Sequence, residues 1–292
     1  MFDRKKYKNF ALRQLRGRWG VAILMVVVML LVPIIMSFIN YLKIKPLIQD
    51  YINQIFLSGG AVAQDEVLDF YYSIMGVVNS KGMILLSLLN AFLLTPIFSF
   101  AALKVFIVMT RSPEPVSFKL FIEAMNDWKR GLGTFFYFYF RIILWALIPA
   151  AILVAMVLSV IFVFETEVSA LTIILILIVL ILLFIASYVL LFVKALEYSL
   201  TVFISAEFEN LPIRKCLKLS RIVTNGHKWH LFVLELSFLG WIILNVFTLC
   251  ALSLWLTPYM FMTYINAFHA LMQEAFETGK VKPEEISKNG EE

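Results

Sequence analysis

"LTIILILIVLILLFIASYVLLFV", Leu171–Val193, decides the fold. The stretch holds no charged residue and no proline. A helix rises about 1.5 Å per residue, so a hydrocarbon core of about 30 Å needs roughly 20 apolar residues. This run is long enough. A strand of a membrane barrel would be shorter and would alternate polar with apolar residues, which this run does not. Backbone polar groups in lipid have no water to bond, and a helix satisfies them internally.

The rest of the chain shares that character. Hydrophobic residues make up 61% and charged residues 15%, with a mean hydropathy of +0.88. Soluble domains carry about 45–50% apolar and roughly 25% charged residues. The reading is an all-α polytopic membrane protein. Spans are expected at about 19–40, 82–109, 132–164, 170–193 (continuing helically to about 208), 230–248 and 252–272. Between His230 and Met272 the only formal charge is Glu235. As one helix that stretch would be ~64 Å long, so two spans with a tight turn near "FTLCALS" are expected. The sum is six transmembrane helices in three hairpins, a single membrane domain over 1–277, and a flexible polar tail over 278–292. Basic residues before the first run resemble a signal peptide. The run is too long for one and no small-x-small site follows, so an uncleaved first span is expected.

Lys and Arg distribution orients the spans. The segments on the N-terminal side of the membrane hold seven, four, five and three of them, and the opposite loops three, none and none. That asymmetry predicts both termini in the cytoplasm. It also accounts for the +5 net charge without nucleic acid. Three basic amphipathic helices are expected on the cytoplasmic surface. The first is 3–18, "DRKKYKNFALRQLRGR". The second is "SFKLFIEAMNDWKRG", with Ser117 as its N-cap. The third is "ENLPIRKCLKLSRIVTNG", with Pro212 in its first turn and Gly226 at its stop. Each leads through Gly and Trp into a span, which reads as a weak three-unit repeat. Trp19, Trp128, Lys228 and Trp229 are the expected interfacial anchors. Arg4, Lys5, Lys6, Lys8, Arg13, Arg16, Arg18, Arg214, Lys215, Lys218 and Arg221 are the expected lipid-surface cations.

Charges inside spans are the best functional pointers. Lys104, Arg141, Lys194, Glu197 and Glu235 all fall in the cytoplasmic half and could form one polar network, with Arg141–Glu235 as the expected pair. His227 and His230 stand three apart, but a zinc site needs three or four ligands and Glu235 lies on the wrong side of the helix. Cys216 and Cys250 give no metal spacing and no disulfide framework. G-x-S-x-G, H-E-x-x-H and P-loop patterns are missing. No catalytic residue, metal or cofactor is expected.

"AEFENLPIRKCLKLSRIVTNGHKWHLFVLELSFLGWIIL", "LWLTPYMFMTYINAFHALM" and the early "LRGRWG" resemble an uncharacterised bacterial integral membrane family, the domain of unknown function nine-seven-five. That family's Ser-Arg pair, Gly-x-Lys, "LSF-x-GW" and "WL-x-PY" fall on Ser220, Arg221, Gly226, Lys228, Leu236, Ser237, Phe238, Gly240, Trp241, Trp255, Leu256, Pro258 and Tyr259. Leu249-Cys250-Ala251 stand where the family tends to place glycines, which implies a less tight final turn. Phe268-His269 replaces the usual Phe-Tyr. The resemblance implies a six-span protein of the bacterial cytoplasmic (inner) membrane and adds no chemistry. The expected role is non-enzymatic: envelope organisation, or a scaffold binding anionic lipid headgroups or a cytoplasmic protein. The alternative is a transporter or channel for a small anionic or lipid-like solute, using the Arg141, Glu235 and Lys194 region.

Overall fold

The computed structural model describes residues 2–60, 63–165 and 169–287. Among the described residues every regular element is helical. Helix α1 (Arg4–Leu15) is capped by the Asp3 carboxylate, which accepts from the backbone N–H of Lys5 and Lys6 at 3.0 and 3.1 Å. Helix α2 (Trp19–Leu57) runs unbroken through Pro33 and Pro46. Its 39 residues make it about 58 Å long, well beyond a hydrocarbon core. The first span, expected to end near residue 40, is therefore the first part of a longer helix that continues to Leu57. Helix α3 (Gln64–Val78) folds back on it, stacking Phe70 on Tyr51 at 4.0 Å.

Helix α4 (Lys81–Leu89) passes through a π-turn, Asn90–Leu94, into α5 (Thr95–Arg111). Pro96 explains that turn: it has no N–H to donate, and its ring crowds the preceding turn, so the register widens just before it. After α6 (Phe118–Ala124), capped by Ser117 as expected, a single 3-10 turn leads into α7 (Trp128–Glu165). The Ser169 side chain starts α8 (Ala170–Tyr198). Most of the acidic loop before it, 166–168, lies outside the described residues. A turn at Ser199–Leu200 interrupts the expected continuation before α9 (Thr201–Glu207). Then come α10 (Ile213–Thr224), α11 (Lys228–Leu236), α12 (Leu239–Phe247), α13 (Ser253–Glu277) and α14 (Pro283–Ser287).

Among the described residues five stretches are long and apolar enough to cross a membrane: Trp19–Leu57, Lys81–Arg111, Phe118–Phe162, Ile174–Glu207 and Lys228–Phe247. The chain is compatible with a multipass membrane protein. The expected sixth span falls on α13, which has the length but carries Thr257, Thr263, Asn266 and His269, and it stands outside that set.

Burial is lopsided. The core gathers where α1, α5, α9, α10 and the later part of α13 meet, around Phe100, Phe106, Ile204, Leu219 and Phe268. By contrast, only 6% of the most apolar window is buried in each of Phe118–Phe162 and Ile174–Glu207. These two helices pair with each other and leave most of their surface uncovered. The end that holds this core is the packed end of the molecule.

The segment after Glu277, expected to be flexible, is held there in part. Val281 donates its N–H to Ala275 O at 3.1 Å and is buried, and Ile286 packs on the same core. Residues 288–292 lie outside the described residues.

The repeat is sharper in the backbone than in the letters. Leu15–Arg18 and Thr224–His227 form the same type II turn. Arg16 and Asn225 have φ/ψ of −61/123 and −66/122, Gly17 and Gly226 have φ +78 and +89, and Arg18 and His227 have −122/7 and −115/2. Such a turn needs positive φ at its third residue, which is why glycine stands there. Aligning the turns puts Trp19 opposite Lys228. It also superposes the buried faces of the preceding helices: Tyr7, Ala11 and Leu15 on Cys216, Ser220 and Thr224. Helices α5 and α13 share a Leu-Thr-Pro, at 94–96 and 256–258. From there Phe100, Leu103, Phe106 and Met109 are buried as Met262, Ile265, Phe268 and Leu271 are. The second unit departs, since α6 reaches α7 through right-handed residues without a glycine turn.

The turn between α12 and α13 is tight despite its lack of glycine. Leu249 and Cys250 take φ of +49 and +65. Each left-handed L-residue costs roughly 1–2 kcal/mol, part of which glycine's extra unfolded-state freedom would offset. Cys250→Gly is expected to stabilise the protein by about 0.5–1 kcal/mol. A higher apparent melting temperature in detergent checks this.

Candidate functional site: a carboxylate hub at the packed end

Glu197 ends α8 as a buried carboxylate. Lys194 donates to its Oε2 at 2.9 Å and Lys228 to its Oε1 at 2.6 Å. Arg221 brings Nε to 3.7 Å from Oε2. The backbone carbonyl of Glu197 accepts from Ser220 Oγ at 2.7 Å. Thus Ser220, Arg221 and Lys228, three residues that carried the family resemblance, converge on Glu197. The turn at Gly226 lets α11 start close enough for Lys228 to reach back. Trp145 supports the group from α7, its ring 5.0 Å from Lys194 Nζ and its indole N–H donating to Tyr198 Oη at 3.2 Å.

Lys104 belongs to a second cluster. It pairs with Asp127 and, at 2.6 Å, with Glu209. Arg111 pairs with the buried Glu207, which also lies 3.5 Å from His269. Lys104, Arg111, Asp127, Glu207 and Glu209 line a cleft of about 280 Å³ between α5, α6 and α9. The expected single network of Lys104, Arg141, Lys194, Glu197 and Glu235 is therefore two clusters and two separate residues. Arg141 and Glu235 form no ion pair among the described residues. Helix α7 packs on α5, α8, α9 and α10, while α11 packs on α8, so the two residues sit on helices that share a neighbour. Arg141 Nε is buried without a hydrogen-bond partner, and Glu235 is exposed.

No sequence pattern singles out Arg130, which holds the end of α9. Its Nε donates to Ser205 O at 2.9 Å, and its Nη2 to Phe208 O at 2.8 Å and Leu211 O at 2.9 Å. The end of a helix leaves carbonyls without intrahelical donors. One guanidinium satisfies the Ser205 carbonyl of α9 and, through Phe208 and Leu211, closes the loop into α10. Thr134, one turn on, bonds Ser205 Oγ at 2.8 Å. No local spacing signals such a contact, because 75 residues separate Arg130 from Ser205.

The basic helices do not lay their apolar faces on lipid. Tyr7, Ala11 and Leu15 of α1 are buried against α13 and α5, and the apolar face of α10 is buried as well. Besides Arg221, which faces Glu197, two expected lipid-surface cations work inside the chain. Lys8 donates to Ser237 O at 3.0 Å and lies 4.1 Å from the centre of the Phe238 ring. Burial, with Arg4 nearby, holds its amine below the ordinary lysine range. Arg18 donates to Met109 O and Ser112 O at 3.1 and 2.8 Å. Arg4, Lys5, Lys6, Arg13, Arg16, Arg214 and Lys218 are exposed, and Lys215 is half-buried. Of the expected anchors, Trp128 and Trp229 are exposed, whereas Trp19 packs against the core. His227 pairs with Glu274 at 2.9 Å, and its ring stands 5.9 Å from that of His230. Cys216 is buried, which pushes its thiol above the ordinary range, and Cys250 is exposed.

No curated protein and no solved structure matches this chain. A family does. Residues 1–275 match the one described as Protein of unknown function (DUF975), and on that coverage the chain belongs to it.

Proposed function

We propose that this protein is a non-enzymatic, six-span component of the bacterial inner membrane. Its three hairpins leave both termini in the cytoplasm. Its packed end serves as a scaffold that meets anionic lipid headgroups or a cytoplasmic partner. One observation carries the reading. The apolar faces of α1 and α10 are used up on protein, which leaves their exposed basic faces at the end where the core sits, while long apolar helices stay uncovered. A cation near an anionic surface contributes about 1 kcal/mol.

Two measurements test this. A membrane-impermeant maleimide applied to the outside of spheroplasts is expected to label Cys250 and leave Cys216 unmodified. Labelling of Cys250 only from the cytoplasmic side would reject the topology. The purified full chain is also expected to retain phosphatidylglycerol over phosphatidylcholine. Neutralising Arg4, Lys5, Arg13 and Arg16 to Gln should reduce that preference by up to about fivefold per charge. An unchanged preference would reject the lipid reading. The buried, unpaired Nε of Arg141 favours the transport alternative. Anion flux into reconstituted vesicles that is lost in Arg141→Ala would replace the scaffold with that reading.

A further inference from the structure

Beside the Glu197 hub, α10, the turn after it and the start of α11 wall a cleft of about 630 Å³. Four cations line it, Lys218, Arg221, Lys228 and Lys280, with Glu197 as the one carboxylate among the lining residues. Both oxygens of Glu197 are already engaged by Lys194 and Lys228. Lys218 and Lys280 make no ion pair among the described residues. Arg221 approaches Glu197 only through Nε, and its side chain is 50% exposed. Its planar fork keeps donors available for the oxygens of a phosphate. Lys218 and Arg221, three apart on α10, project from one face.

The internal repeat acts as a control on what the fold itself requires. With the Gly17 and Gly226 turns aligned, positions 218, 221 and 228 fall opposite Asn9, Leu12 and Trp19. The first unit builds the same helix, turn and buried face with no charge at those places. The helix and its turn therefore do not themselves require these cations: Arg221 and Lys228 face Glu197, and Lys218 has no ion-pair partner among the described residues. Lys228 also opens the candidate span Lys228–Phe247, beside the exposed Trp229, so the cleft stands where that span would leave the lipid.

We propose that this cleft binds a phosphate group, carried by an anionic lipid headgroup or by free phosphate. The proposal rests on the reading that the packed end meets an anionic surface, and it localises the contact to one site. The test is native mass spectrometry of the detergent-solubilised full chain with phosphatidylglycerol, phosphatidylcholine or inorganic phosphate. The variant K218Q/K280Q removes two cations that touch no other charge, and K218R/K280R restores them. Wild type and K218R/K280R are expected to bind phosphatidylglycerol, with K218Q/K280Q about thirtyfold weaker. Displacement of the lipid by millimolar inorganic phosphate would assign the site to free phosphate, and persistence would assign it to the headgroup. Equal phosphatidylglycerol binding by wild type and K218Q/K280Q overturns the cleft. If the Arg4, Lys5, Arg13 and Arg16 variant still loses lipid in that case, the broader surface reading stands and only the cleft falls. A wild type that binds neither phosphatidylglycerol nor phosphate overturns the cleft as well.

Discussion

Arg130→Met is expected to cost about 3–5 kcal/mol, the largest loss of any single substitution at the packed end. The guanidinium makes three bonds to backbone carbonyls, of Ser205, Phe208 and Leu211. A hydrogen bond from a charged group contributes about 1.5–3 kcal/mol, and a buried acceptor left unpaired adds its own desolvation. Methionine keeps much of the stem's volume and removes every donor, so the loss reports the bonds rather than a cavity. Arg130→Lys should recover only part, because one ammonium cannot reach three carbonyls with a rigid fork. Melting followed by fluorescence-detected size exclusion separates the variants. Indistinguishable melting of Arg130→Met and wild type would show that water caps α9 equally well.

Glu197→Gln is expected to rank second, at about 2–4 kcal/mol. The amide nearly preserves shape and removes the charge that Lys194, Lys228 and Arg221 face. Lys194 and Lys228 are themselves largely shielded, with side chains 17% and 29% exposed, so neither reaches bulk water without moving. A double change, Glu197→Gln with Lys194→Met, should cost less than Glu197→Gln alone, since it removes one of the stranded cations. That non-additive outcome distinguishes a charge hub from simple packing loss. If the double variant is the less stable of the two, the hub does not act through charge.

Apolar run length is a one-dimensional quantity, which is why Lys81–Arg111 and Ile174–Glu207 were legible before any fold was known. The cap at Ser117 was legible for a similar reason, since a hydroxyl reaches only its own first turn. The path of α2 beyond residue 40 was not legible, because the apolar run gives way to polar residues there while the helix itself continues. The hub was half legible. Lys194 and Glu197 stand three apart on one helix, but Lys228 joins them only through the turn at Gly226. Arg141 and Glu235 were paired on depth alone, and depth does not say which helices touch. Arg130 left no trace, since its partners are carbonyl oxygens, which every residue has.

The central place of α13 has a consequence for biosynthesis. Helix α1 docks on α13, with Gln14 and Asn266 exchanging bonds at 3.2 and 2.8 Å, and the core around Phe268 needs α13 as well. A ribosome completes α1 long before α13 exists. Until then the apolar face made of Tyr7, Ala11 and Leu15 has only part of its cover, and the cavity that Phe268 fills stands open. The earlier helices can form one by one, but the packed end cannot close until α13 emerges. A nascent chain halted before Ser253 should thus be the stage most exposed to quality-control proteases.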